Sequence, residues 1–93
     1  MIRSFASVAT ETVWNGYPSR ELPPELQNVA RRKLRMLNNS DQLQELRVPP
    51  NNRLEKLRGD RRGQFSIRIN DQWRICFRWS NGDAYDVEIT DYH

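Results

Sequence analysis

Leu54 to Trp79, LEKLRGDRRGQFSIRINDQWRICFRW, is the stretch whose reading decides the fold. Two runs in it alternate strictly. Phe65, Ile67 and Ile69 alternate with Gln64, Ser66, Arg68 and Asn70, and Trp73, Ile75, Phe77 and Trp79 alternate with Arg74, Cys76 and Arg78. Period two with aromatic and β-branched residues is the pattern of half-buried strands. A loop of three residues, Asn70-Asp71-Gln72, pairs Ile69 with Trp73, Ile67 with Ile75 and Phe65 with Phe77. A two-residue loop would set apolar residues against polar ones, which a buried face forbids. The favoured register puts Arg68 opposite Arg74. Like charges in direct cross-strand pairing are unfavourable, so a negative partner is expected there.

Outward from this hairpin, Ser80-Asn81-Gly82 reads as a three-residue loop into a last strand. That register pairs Phe77 with Tyr85, Ile75 with Val87 and Trp73 with Ile89. It also sets Glu88 opposite Arg74 and Asp86 opposite Cys76, so that acids neutralise part of the polar face while Arg68 and Arg78 keep no obvious partner. Upstream, Leu54 to Arg58 enters the sheet and Gly59 to Gly63 makes a charged turn. Ile2 to Phe5 suits an edge or joining strand. A first helix is predicted over Ser7 to Asn15, stopped by Asn15-Gly16. Pro23-Pro24 opens a second, with Leu26, Val29, Ala30, Leu34 and Leu37 at helical spacing, Arg31, Arg32 and Arg35 on its outer face, and Asn38-Asn39-Ser40 at its end. Asp41 to Arg47 suits one further turn, and Val48 to Asn52 a rigid, extended loop. The fold class is α+β: two N-terminal helices on one face of a mainly antiparallel sheet of about four strands, a two-layer sandwich with the arginine-bearing face left open.

Ninety-three residues suit one domain with one modest core. No apolar run reaches membrane-span length and no signal peptide opens the chain. The single Cys76 and single His93 fit a reducing cytoplasm and exclude a zinc site of the usual kind. The net charge of +3 hides an asymmetry. Residues 53–78 carry eight Lys or Arg against three acids, and residues 79–93 carry four acids and neither base. Arg outnumbers Lys thirteen to two, and Arg binds phosphate bidentately and stacks on bases. Interleaved with aromatics on strands, these arginines point to nucleic acid.

Glu55, Arg58, Arg68, Arg74, Tyr92 and His93 could do chemistry together. Cleavage of RNA by its own 2′-hydroxyl needs a base, cationic donors for the crowded phosphate and an acid for the leaving 5′-oxygen. Glu55 suits the base, the arginines the clamp and His93 the acid, with no metal or other cofactor. Lys56, Arg61 and Arg78 join Arg68 as candidates to hold the substrate.

The Leu54-x-x-Leu57-Arg58-Gly59-Asp60 turn, the Ser66-Ile67-Arg68-Ile69-Asn70-x-x-Trp73-Arg74-Ile75 hairpin and the terminal Asp91-Tyr92-His93 together resemble the HigB branch of the RelE superfamily of toxin–antitoxin toxins. The resemblance implies a RelE-like fold, an mRNA endonuclease working in the ribosomal A site, and a HigA-like helix-turn-helix antitoxin as partner. It implies catalytic roles for Glu55, Arg58, Arg74, Tyr92 and His93, with Arg68 in support. Glu55 stands where several HigB toxins carry His and YoeB relatives carry Glu, and Arg58 where many members carry Lys. Arginine keeps the charge but cannot give up a proton. Two rival readings are a gyrase-inhibiting toxin of the ParE group, which shares the fold, and a non-catalytic RNA-binding module. Both make Glu55 and His93 dispensable.

Overall fold

The computed structural model describes residues 1–91. Strands β1 (Glu55–Lys56), β2 (Phe65–Arg68), β3 (Trp73–Ser80) and β4 (Asp83–Asp91) form one antiparallel sheet in the order β1-β2-β3-β4. Helices α1 (Val8–Trp14) and α2 (Pro24–Asn39) supply Ala9, Val13, Leu26, Ala30, Leu34 and Leu37 to a core shared with Ile67, Ile75 and Phe77. The expected α+β arrangement of two helices on four strands is the one observed.

The helices form for local reasons. Ser7 caps α1 by accepting the Thr10 amide at 3.2 Å, and Gly16 at φ 93° ends it. Thr10 is buried within α1 and its hydroxyl accepts the Ile89 amide at 2.9 Å, which ties the helix to β4. Pro24 starts α2, and its buried residues recur at helical spacing. Arg31 departs from the predicted outer face. Its Nε donates to the Val13 carbonyl at 2.9 Å, a second bond on an oxygen near the end of α1 that already accepts the Gly16 amide at 3.0 Å.

The β2–β3 register is the predicted one: Phe65 opposite Phe77, Ile67 opposite Ile75 and Arg68 opposite Arg74. The β3–β4 register is not. Asn81 and Gly82 form a two-residue turn with φ of 51° and 82°, the type I′ geometry that matches strand twist. Arg78 therefore pairs with Tyr85 and Trp79 with Ala84. An extra residue then enters β4, and beyond it Cys76 pairs with Glu88, Ile75 with Ile89, Arg74 with Thr90 and Trp73 with Asp91. Asp86 takes φ 53° at this bulge, and its amide donates to Ser4 Oγ at 2.9 Å. The bulge brings Ala84, Val87 and Ile89 all to the core side and leaves Tyr85 exposed. Residues 2–5 run parallel to β4, bridging at Ile2–Ala84 and Phe5–Val87.

Two other expectations change. Residues 48–52 are not wholly extended, because Pro50–Asn52 makes a 3-10 turn that buries Asn52, whose amide donates to the Leu46 carbonyl at 3.1 Å. The arginine-bearing face is open only in part, with Glu55, Arg78 and Asp86 about half exposed. Arg61, from the turn at Gly59–Arg61, reaches Glu88 at 3.1 Å and Gln64 at 3.1 Å, and Ser66 and Cys76 on that face are fully buried.

Candidate active site

The site begins with Ser66. It sits on β2 between Glu55 on β1 and Cys76 on β3, and diagonally from Arg74. Its hydroxyl accepts from Arg74 Nε at 2.7 Å. Arg74 Nη2 donates to the Arg53 carbonyl at 2.6 Å and to the Ser66 carbonyl at 3.4 Å. The Arg53 carbonyl belongs to a residue in the left-handed region, φ 44°, that follows the Pro50–Asn52 turn. Three protein oxygens thus pin one guanidinium. The Arg74 side chain is only 11% exposed, and its Nη1 has no protein acceptor among the described residues. Glu55 Oε1 lies 4.0 Å from Arg74 Nη2 on a side chain that is 53% exposed. At that distance and exposure the two charges interact weakly, so the carboxylate keeps its freedom to meet a ligand.

Direct opposition of Arg68 and Arg74 is relieved by divergence. Arg74 turns towards Ser66 and Arg53, while Arg68 pairs with Asp71 of the loop. Asp71 supplies the expected negative charge to Arg68, while Arg74 is held by neutral oxygens with Glu55 4.0 Å off as a weak ionic neighbour. Glu88, predicted opposite Arg74, pairs with Arg61 instead, and Thr90 takes its place. Asp86, predicted opposite Cys76, pairs with Arg78 at 3.4 Å, so Arg78 does have a partner.

Of the nine residues singled out from the sequence, the fold brings Glu55 and Arg74 together. Lys56 alternates to the other side of β1 from Glu55 and, with Arg58, Leu57, Gly59 and Arg62, lines a cleft of about 330 Å³. Arg61 and Arg78 are engaged by acids, and Arg68 lines a separate cleft against α2. Tyr92 and His93 lie outside the described residues. Sequence reasoning missed Ser66 and the Arg53 carbonyl. The β2–β3 register alone sets Ser66 diagonal to Arg74, within reach of a long side chain.

Burial pushes the Cys76 thiol up from its ordinary value, with Glu88 adding to the effect while Arg61 and Arg74 oppose it. That thiol is a buried neighbour of the site, not a nucleophile. Among the described residues no three acidic, His or Cys side chains gather to hold a metal ion, and no helix is long and apolar enough to cross a membrane.

A guanidinium fixed by three oxygens and 11% exposed, with a half-exposed carboxylate 4.0 Å away, is the most constrained charged pair this small α+β domain presents on its sheet. Comparison with known proteins makes the class specific. Over residues 4–93 the chain matches the model of a family described as RelE-like toxin of type II toxin-antitoxin system HigB, and it belongs to that family. It is 42% identical over 70 residues to the toxin HigB-1 of Vibrio cholerae, covering 75% of this chain and 74% of the relative. It is 49% identical over 41 residues to the endoribonuclease HigB of Proteus vulgaris, 44% of this chain and 45% of that one. An uncharacterised protein of Haemophilus influenzae is 36% identical over 69 residues, covering 74% and 68%.

Proposed function

We propose that residues 1–93 form one toxin domain that cuts mRNA on the ribosome. The observation that carries this reading is the pinned Arg74 beside the half-exposed carboxylate of Glu55. A phosphodiester on Arg74 would set its neighbouring 2′-hydroxyl near Glu55. Glu55 takes the proton, the 2′-oxygen attacks phosphorus, the P–O5′ bond breaks, and the leaving oxygen takes a proton from His93. The products are a 2′,3′-cyclic phosphate and a 5′-hydroxyl. Arg74 stabilises the charge that builds on the phosphoryl oxygens, and Arg58 and Tyr92 assist as the family resemblance implies. Arg58 has no side-chain partner among the described residues, which leaves its charge free for RNA. Arg68 and Lys56 are secondary contacts. Arg61 and Arg78, held by Glu88 and Asp86, serve the sheet rather than the substrate.

The name of the Proteus vulgaris relative supports endoribonuclease chemistry, and the family supports an antitoxin partner. That partner is a helix-turn-helix protein, the working site is mRNA in the ribosomal A site, and the compartment is the cytoplasm. The test is single-turnover cleavage of an mRNA positioned on a ribosome, beside free RNA. Wild type should cut far faster on the ribosome and leave the cyclic phosphate. A chain ending at Tyr92 should be slower by about 10²–10⁴-fold. Equal rates remove His93 from the mechanism. If neither chain cuts while both poison gyrase, the nuclease reading falls.

A further inference from the structure

Beyond the end of β1, the edge of β2 faces α2 across a cleft of about 440 Å³. It is lined by Arg32 and Lys33 from α2 and Arg68 from β2, together with the apolar Val29, Met36 and Ile69 and the neutral Asn51. None of the reacting groups proposed above lines it. Three cations meet here, and the acid paired with one of them is Asp71, which bonds Arg68 on a side chain that is 98% exposed. Arg32 has no side-chain partner among the described residues, and Lys33 donates to the neutral Asn52 side chain. Burial first, then the charges of Arg32 and Arg68, push the Lys33 ammonium down from its ordinary value of 10.5. A concavity of this kind is short of negative charge.

We infer that this cleft is a second subsite for single-stranded RNA, holding one phosphate on Arg32, Lys33 and Arg68 and the attached base on Val29, Met36 and Ile69. Two features favour RNA over another anion. The apolar part of the lining, Val29, Met36 and Ile69, fits the face of a base, which a bare phosphate or an acidic side chain does not need. Arg68 is the cross-strand neighbour of Arg74, so although their side chains diverge the cleft adjoins the Arg74 site, and a strand of several nucleotides can span both. The subsite rests on the RNA substrate proposed above and extends it: the enzyme grips the strand beyond the scissile bond. Asp71 partly occupies Arg68 and so weakens the grip.

The test uses fluorescence anisotropy with the full chain and a single-stranded RNA whose 2′-hydroxyls are methylated so that it cannot be cut. Arg32→Gln should weaken binding about fivefold and shrink the salt slope by about 0.7, the value of one phosphate contact on a single strand. Asp71→Asn should tighten binding by a few-fold by releasing Arg68. Neither should alter binding of a dinucleotide too short to reach the cleft. The inference is overturned if wild type does not bind the oligonucleotide at low salt, or if both variants match wild type. It is overturned equally if Arg32→Gln loses affinity only for ribosomes free of mRNA, which would make the ligand ribosomal RNA, or only for a purified antitoxin. If wild type fails to cleave yet these shifts appear, the nuclease reading falls and the subsite stands. If wild type cleaves and the shifts are absent, the subsite alone falls.

Discussion

Ser66→Ala removes the hydroxyl that accepts from Arg74 Nε at 2.7 Å and leaves the backbone path of β2 untouched. A hydrogen bond to a charged group contributes about 1.5–3 kcal/mol, and breaking one at a site this shielded leaves a donor partly unsatisfied. Arg74 keeps the Arg53 carbonyl at 2.6 Å, and 11% exposure allows some water in, so the lower half of that range applies. The expected loss is about 1.5 kcal/mol, or about 6–12 °C in Tm for a chain of this size. Cleavage should fall by about tenfold, because the guanidinium remains but is no longer held in one orientation, a partial form of the 10²–10³ lost when a transition-state donor is removed outright. The assay is a double-mutant cycle with Arg74→Gln, using urea midpoints for stability and single-turnover cleavage for function. Coupling should take most of the stability effect, so that Ser66→Ala costs under about 0.5 kcal/mol in the Arg74→Gln background. An undiminished cost there would show that the hydroxyl serves packing and not Arg74.

Glu55→Gln should slow cleavage by about 10²–10⁴-fold while unfolding free energy moves by less than about 0.5 kcal/mol, since an exposed pair at 4.0 Å contributes little; a fast Gln variant removes Glu55 as the base. Arg61→Ala should uncover Cys76 and raise its alkylation rate by roughly tenfold, because loss of burial lowers the thiol pKa more than loss of Arg61 raises it; an unchanged rate means the turn at Gly59–Arg61 is not the cover. Gly82→Ala should lower the urea midpoint by the equivalent of about 1–2 kcal/mol, since a Cβ at φ 82° is strained and would stand 3.1 Å from the Asp41 carbonyl; no loss would refute the type I′ turn. Lys33, whose folded pKa lies below 10.5, subtracts from stability at neutral pH, and that cost fades as pH rises through the folded value towards 10.5. Arg32→Gln should bring the Lys33 titration, followed by NMR at Nζ, closer to 10.5, and an unmoved titration would place the two charges apart.

Period and loop length are local properties, so the β2–β3 hairpin with Arg68 opposite Arg74 was legible from residues 64–79 alone, as were both helices from their start and stop residues. Composition and motif likewise singled out Glu55 and Arg74. The last hairpin was misread because its register depends on Asp86, which takes a left-handed conformation where residues 2–5 come alongside and Ser4 receives its amide. Nothing within a few residues of Asp86 announces that partner. The fate of each arginine was decided the same way. Charge and alternation put Arg61, Arg68, Arg74 and Arg78 in or near one sheet face, yet tertiary structure gives Arg61 to Glu88, Arg78 to Asp86 and Arg68 to Asp71. It leaves Arg74 to a hydroxyl and two carbonyls, neutral acceptors that fix a guanidinium without cancelling its charge. Side-chain type determines what a residue can do, but which acceptors reach it depends on distant segments meeting, and that is set only when the chain has packed.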